Sequence, residues 1–269
     1  MKQPIGFQLP ADPAGEAPGE ERRLPRETPA PSVARVYFPQ RQMAFSYYND
    51  AFDLRKGDLV YVEGKLAGML GQVVEVSRTF KIRLADYKRV IGRAQTRLTG
   101  EFFHAGAYLL AFDPAALSRE AASTWFWPPA PEGEVFASAS DGDAFPLEGL
   151  AAQFRPEIAA RGLDYYREER VRCLCLDGER GWAAVAGSEY YEVEFSCAGG
   201  QVSDLVCSCF CAYPCKHEFA ALTLLRQLLE TVKEEYSPQY ARSGYLAAVQ
   251  KEGFFSFVLR GREEGRLIL

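Results

Sequence analysis

The chain has 269 residues, 48% of them hydrophobic, with 31 basic against 36 acidic side chains and a formal net charge of −5. That length holds one large domain or two ordinary ones with a sizeable core, and the acidic balance argues against a protein that engages nucleic acid through total charge. No run approaches the ~18 consecutive apolar residues of a spanning helix.

The N-terminus, MKQPIGFQLPADPAGEAPGE, has no apolar core of signal-peptide type, so a cytoplasmic protein is expected. In a reducing compartment clustered cysteines point to metal or redox chemistry rather than to disulfides. Residues 1–31 are rich in Pro, Gly, Ala and charge, which predicts a disordered tail.

From residue 32 the composition shifts. VARVYFP, GDLVYVEG and GQVVEVS read as short strands between Gly and Asp turns, and FKIRLADY (80–87) alternates like a half-buried strand. The expectation for 32–124 is a β-rich, small barrel-like domain. EFFHAGAYLLAF (101–112) fits either strand or helix. DPAALSREAAS (113–123) has a capping Asp, Pro at the first helical position and good helix formers, which predicts a helix. WFWPPAPEGEVFASASDGDAFP is rich in Pro, Gly, Ser and acid, so 125–147 reads as a linker, with Trp125 and Trp127 capping the first core.

The second half, 148–269, opens with a helical pattern over 154–171. RCLCL, GWAAVAGS, YYEVEFS and QVSDLV then read as strands, and a long helix starts at Lys216, with Phe219, Leu222, Leu225, Leu228, Leu229 and Val232 on one face. SPQYARSGYLAAVQKEG reads as a further short helix and GFFSFVLRG as a closing strand or an interaction segment. The fold class expected is α+β: a barrel-like domain, a linker, and a strand–strand–helix module with a helical extension.

All seven cysteines lie between Cys173 and Cys215, and the two histidines are His104 and His217. VCSCFCAYPCKH spaces Cys207-x-Cys209, five residues, then Cys215-x-His217. Zinc takes four tetrahedral thiolate and imidazole ligands at about 2.0–2.3 Å. Two ligands at a strand end and two at a helix start bring four to one point, and the helix N-terminus favours the Cys215 thiolate. The expected set is Cys207, Cys209, Cys215 and His217. Cys211, in the same loop, is a rival for the place of Cys209 and otherwise a free thiol. With four protein ligands no position is left for substrate, which argues against catalysis. Cys173, Cys175 and Cys197 lack a fourth ligand and read as small core residues.

CSC…CKH resembles the SWIM-type zinc finger, Cys-x-Cys, a variable loop, then Cys-x-His. RGLDYYREERV (161–171) is similar to that family's preceding helix, AAVAGSEYYEVEF (183–195) to its strand pair, and HEFAALTLL to its following helix; the likeness covers about 154–232. It implies the same four ligands, zinc as cofactor, and DNA or protein as partner, including helicases or remodelling ATPases that such modules accompany.

RTFKIRLADYKRVIGRAQTR carries Arg78, Lys81, Arg83, Lys88, Arg89, Arg93 and Arg97 against the single acid Asp86, with Phe80 and Tyr87 interleaved. It is the nucleic-acid candidate by charge. Residues 33–76 resemble, at fold level, the N-terminal β-barrel of primosomal replication helicases; that implies a binding barrel and transfers no site residue. There is no GxxxxGK[ST], GxSxG or HExxH motif, and no small-molecule substrate is evident, so a non-enzymatic nucleic-acid binder is expected, with a protein-interaction adaptor as its rival.

Overall fold

Alternating apolar residues build two antiparallel sheets in the computed structural model, which describes residues 4–5, 29–96, 98–130, 137–140, 142–211, 214–260 and 267–268. The described chain opens with β1 (Pro4–Ile5). It lies inside the segment expected to be disordered, and most of that segment falls outside the described residues. The first sheet takes β2 (Ser32–Phe38), β3 (Met43–Asn49), β4 (Leu59–Val62), β5 (Gly71–Ser77) and β6 (Val90–Arg93) in the order β3-β2-β5-β4-β6. Ala34, Val36, Phe38, Val60, Val62, Val73 and Val90 bury its inner side.

The barrel expected over 32–124 is corrected to this open sheet. Its edges, β3 and β6, meet at one isolated bridge, Tyr48 to Arg89. FKIRLADY, the expected strand, is a loop with one tight helical turn at Leu84–Asp86, and Leu84 is exposed. Phe80 packs edge-on against Tyr48 at 6.2 Å and Ile82 is half-buried, but the segment pairs with no strand of the sheet, so closure lacks a strand.

The second sheet uses β8 (Phe103–Ala105) and β9 (Tyr108–Ala111), which follow β7 (Gly100–Glu101), together with β10 (Phe145–Pro146), β11 (Val171–Asp177), β12 (Arg180–Ala186), β13 (Tyr190–Ala198), β14 (Gln201–Cys207) and β15 (Tyr245–Gln250). Its order is β10-β14-β13-β12-β11-β15-β9-β8. A last strand, β16 (Leu267–Ile268), joins β1 and β7 in a small separate sheet. The ambiguous 101–112 segment is thus a hairpin. Because β9 pairs with β15, the eight-stranded sheet takes strands from both sides of the segment 125–147. Within that segment Trp125 and Phe126 are buried.

Both faces of the eight-stranded sheet are covered, which explains its near-continuous apolar strands. Leu174, Leu176, Ala183, Val185, Val193, Phe195, Leu246 and Ala248 face one core. Cys173, Cys175, Trp182, Ala184, Ala247 and Val249 face the other, with Trp125, Phe102 and Phe254. Cys197 lies in the first core, on the opposite face from Cys173 and Cys175, so the three do not share a site.

Five helices settle the remaining expectations. The helix predicted over 113–123 shrinks to α1 (Arg119–Ser123), capped by the Ser118 hydroxyl accepting from Ala121 N–H at 3.1 Å, while Asp113 holds the preceding turn through Ala115 N–H. α2 (Pro156–Arg167) and α3 (Lys216–Glu235) pack side by side on the first core. The short helix expected over SPQYARSGYLAAVQKEG is only partly helical: α4 (Ser237–Ser243) ends at Gly244 with φ +65°, and YLAAVQ is the interior strand β15. GFFSFVLRG, expected as a closing strand or an interaction segment, instead falls up to Arg260 on α5 (Lys251–Arg260), with Phe254 buried against Phe102 at 5.1 Å. Among the described residues no helix is long and apolar enough to cross a membrane.

α2 and α3 meet closely at Gly162, where a Cβ would sit 2.7 Å from the Phe219 side chain. Gly162→Ala therefore pushes Phe219 or α3 outward. A loss of about 1–3 kcal/mol, the cost of overpacking a full core, is expected in denaturant melts.

Candidate metal centre

The end of β14 is aimed by a bulge. Ser203 stands opposite Ser196, but Val206 stands opposite Glu194, so the register slips by one residue around Asp204. Asp204 takes φ +51°, a conformation Asp tolerates better than most residues. The slip puts Cys207 opposite Val193, whose side chain faces the first core. Had β14 continued in the register of Ser203, Cys207 would stand opposite Glu192 and face the other side, because side chains alternate along a strand.

Cys215 is the N-cap of α3, and His217 lies in its first turn. Glu218 reaches back and accepts from Cys215 N–H at 2.6 Å, fixing the cap. The His217 ring is clamped from two sides. Tyr191 of β13 stacks on it at 4.2 Å with 17° between planes, and Tyr165 of α2 meets it edge-on at 5.4 Å. Held this way, His217 Nδ1 lies 3.6 Å from Cys215 Sγ and 3.7 Å from Cys207 Sγ.

The ligand atoms of Cys207, Cys209, Cys215 and His217 all fall within 4.8 Å of one another. Tetrahedral zinc with bonds of about 2.3 Å to sulfur and 2.0–2.1 Å to nitrogen needs sulfur–nitrogen edges of about 3.6 Å. The two measured edges have that length, so the donor set fits a divalent ion of zinc type. Cys215 and His217 are buried, Cys207 and Cys209 are half-buried, and Cys211 is exposed.

The electrostatics agree. Hydrogen bonding with Cys207 and then burial push the Cys215 thiol up, and burial pushes Cys209 up to about 12. Burial, then Lys216 and Arg161, lowers His217 to about 4, leaving it the neutral imidazole that ligates metals. Without a cation the packed thiols favour their protonated form; a divalent ion reverses that preference.

The basic run is not assembled into one face. Arg78 pairs with Asp53 at 3.1 Å, Arg89 with Asp50 at 2.7 Å, and Arg93 approaches Asp58 at 3.9 Å. Lys81, Arg83 and Lys88 are exposed in the loop that was expected to be a strand. Arg97 lies outside the described residues. Asp50, Asp53 and Asp58 come from other parts of the chain, which a local charge count cannot anticipate.

Tyr165, Tyr191 and Glu218 were not singled out from sequence. Glu218 had a local signal, an acid three residues after the cap; the two tyrosines had none beyond strand and helix periodicity. Compared with models of known families, curated proteins and solved structures, the chain matches none.

Proposed function

We propose that this chain is a non-enzymatic zinc-binding protein carrying a SWIM-type module, and that it binds nucleic acid. The observation that carries the zinc reading is the convergence of four donor atoms, three thiols and one imidazole, from a strand end and a helix start. Cys207, Cys209, Cys215 and His217 would hold the ion. A bound zinc ion would supply the charge that keeps three thiolates together and would tie β14 to α3. Four protein donors fill a tetrahedral ion, the pattern of structural rather than catalytic sites.

The nucleic-acid part rests on the SWIM-type spacing and on cations beside the centre, Arg161 and Lys216, rather than on the net charge. Its test is titration of the zinc-loaded chain with random single- and double-stranded DNA over a range of salt. A linear fall of log affinity with log salt supports phosphate contacts. Absence of binding at low salt gives way to the adaptor reading, a partner such as a helicase-like ATPase. That second reading draws on Met43 and Phe45, both exposed on the edge strand β3.

A further inference from the structure

Beside the metal centre lies a groove of about 730 Å³. Its walls come from the first turns of α2 and α3 and from the loop between the ligand pairs. Both helices present their N-termini here: Arg155 caps α2 and Cys215 caps α3. Two helix N-termini side by side are a region of positive potential. Three cations add to it, Arg155, Arg161 and Lys216, against one acid in the lining, Glu157. Lys216, which lines the groove, has its Nζ 4.4 Å above the Tyr165 ring. In a chain of net charge −5 this is a local reversal of sign.

The second feature is Phe210. It projects from the ligand loop fully exposed, the most exposed of the large apolar side chains among the described residues, and it lines the same groove together with Ile158. A bare aromatic face beside clustered cations is the arrangement by which proteins hold single-stranded nucleic acid: the base stacks on the ring and the phosphate lies on the cations. Duplex DNA hides its base faces, and a few cations in a concave, largely apolar groove do not make the broad basic footprint that a duplex needs.

We infer that this groove holds a short segment of single-stranded nucleic acid, with one base stacked on Phe210 and its flanking phosphates held by Arg161 and Lys216. The inference deepens the nucleic-acid reading above and rests on it. It also moves the contact surface away from residues 78–97, where Arg78, Arg89 and Arg93 already face carboxylates.

The test uses the full zinc-loaded chain and a fluorescent 12-residue thymidine strand, with a duplex and a poly-glutamate peptide as competitors. Phe210→Ala is expected to weaken strand binding by about 5- to 100-fold, the range of one stacked base. Arg161→Gln and Lys216→Gln are each expected to reduce the slope of log affinity against log salt by about 0.7, one phosphate each on a single strand. A Lys81→Gln, Arg83→Gln, Lys88→Gln triple variant is expected to bind as wild type. Zinc content and melting temperature confirm that each variant is folded; Phe210, being fully exposed, is the safest of them. Strand binding that survives Phe210→Ala and Arg161→Gln but is lost in the triple variant overturns the groove and keeps the nucleic-acid reading. Poly-glutamate displacing the strand at equal charge, with no effect of Phe210→Ala, overturns the choice of occupant in favour of an acidic peptide. Absence of binding to any nucleic acid in wild type overturns both.

Discussion

His217→Ala is expected to reduce bound zinc from one per chain to a small fraction of that and to lower the melting temperature. Three thiols left without the imidazole are an incomplete ligand set, and His217 Nδ1 has the tetrahedral-edge distances to both Cys207 and Cys215. Small zinc peptides unfold outright without metal, because nearly all their folding free energy is metal binding. Here the first core is built independently of it: α3 alone buries Phe219, Ala221, Leu222, Leu224, Leu225, Leu228 and Val232. The expected consequence is therefore local. The loop bearing Cys209 and the first turn of α3 lose order, and the remainder stays folded. A loss on the order of 3 kcal/mol, within the range seen when a buried network or metal is lost, lowers the melting temperature by roughly 6–12 °C at this chain length. Hydrogen exchange checks the locality: amides of β14 and the start of α3 should exchange faster, while those of β11 and β15 stay protected.

Trp182→Ala is expected to have the larger effect on stability and none on zinc content. Trp182 is almost fully buried in the second core, meets Trp127 at 5.9 Å and donates its indole N–H to Glu192. Truncating a buried Trp costs about 3–5 kcal/mol in transfer and cavity terms. It also removes one hydrogen-bond partner from Glu192, which Arg119 still engages. The two variants thus separate the two faces of the eight-stranded sheet: one loses metal with moderate destabilisation, the other keeps metal with severe destabilisation, read by elemental analysis and by a denaturant melt.

The Cys/His cluster was legible because its chemistry is local. C-x-C and C-x-H each place two donors within one turn of chain, and the apolar period after Lys216 announced the helix that carries the second pair. Tyr191 and Tyr165 were not legible: each looks like an ordinary member of an amphipathic strand or helix, and only the packing of β13 and α2 around α3 turns them toward His217. The bulge at Asp204 was equally hidden, since it exists only in the register of β14 against β13. YLAAVQ passed for helix because a strand buried on both faces shows no alternation. FKIRLADY has the alternation of a strand, but among the described residues no strand pairs with it. The segment 125–147 is a related case. Pro, Gly and acid marked an irregular segment correctly, but composition carries no sign that β9 on one side of it pairs with β15 on the other.

The most direct measurement is zinc per chain, by elemental analysis, of wild type beside the Cys209→Ser and Cys211→Ser variants. The exposed Cys211 and the half-buried Cys209 are the two candidates for one place, and Cys209 is the one whose sulfur lies within 4.8 Å of the other three donors. One zinc in wild type, retained without Cys211 and lost without Cys209, is the predicted result. No zinc in wild type, or zinc that depends on Cys211 and survives loss of Cys209, would contradict the centre described here.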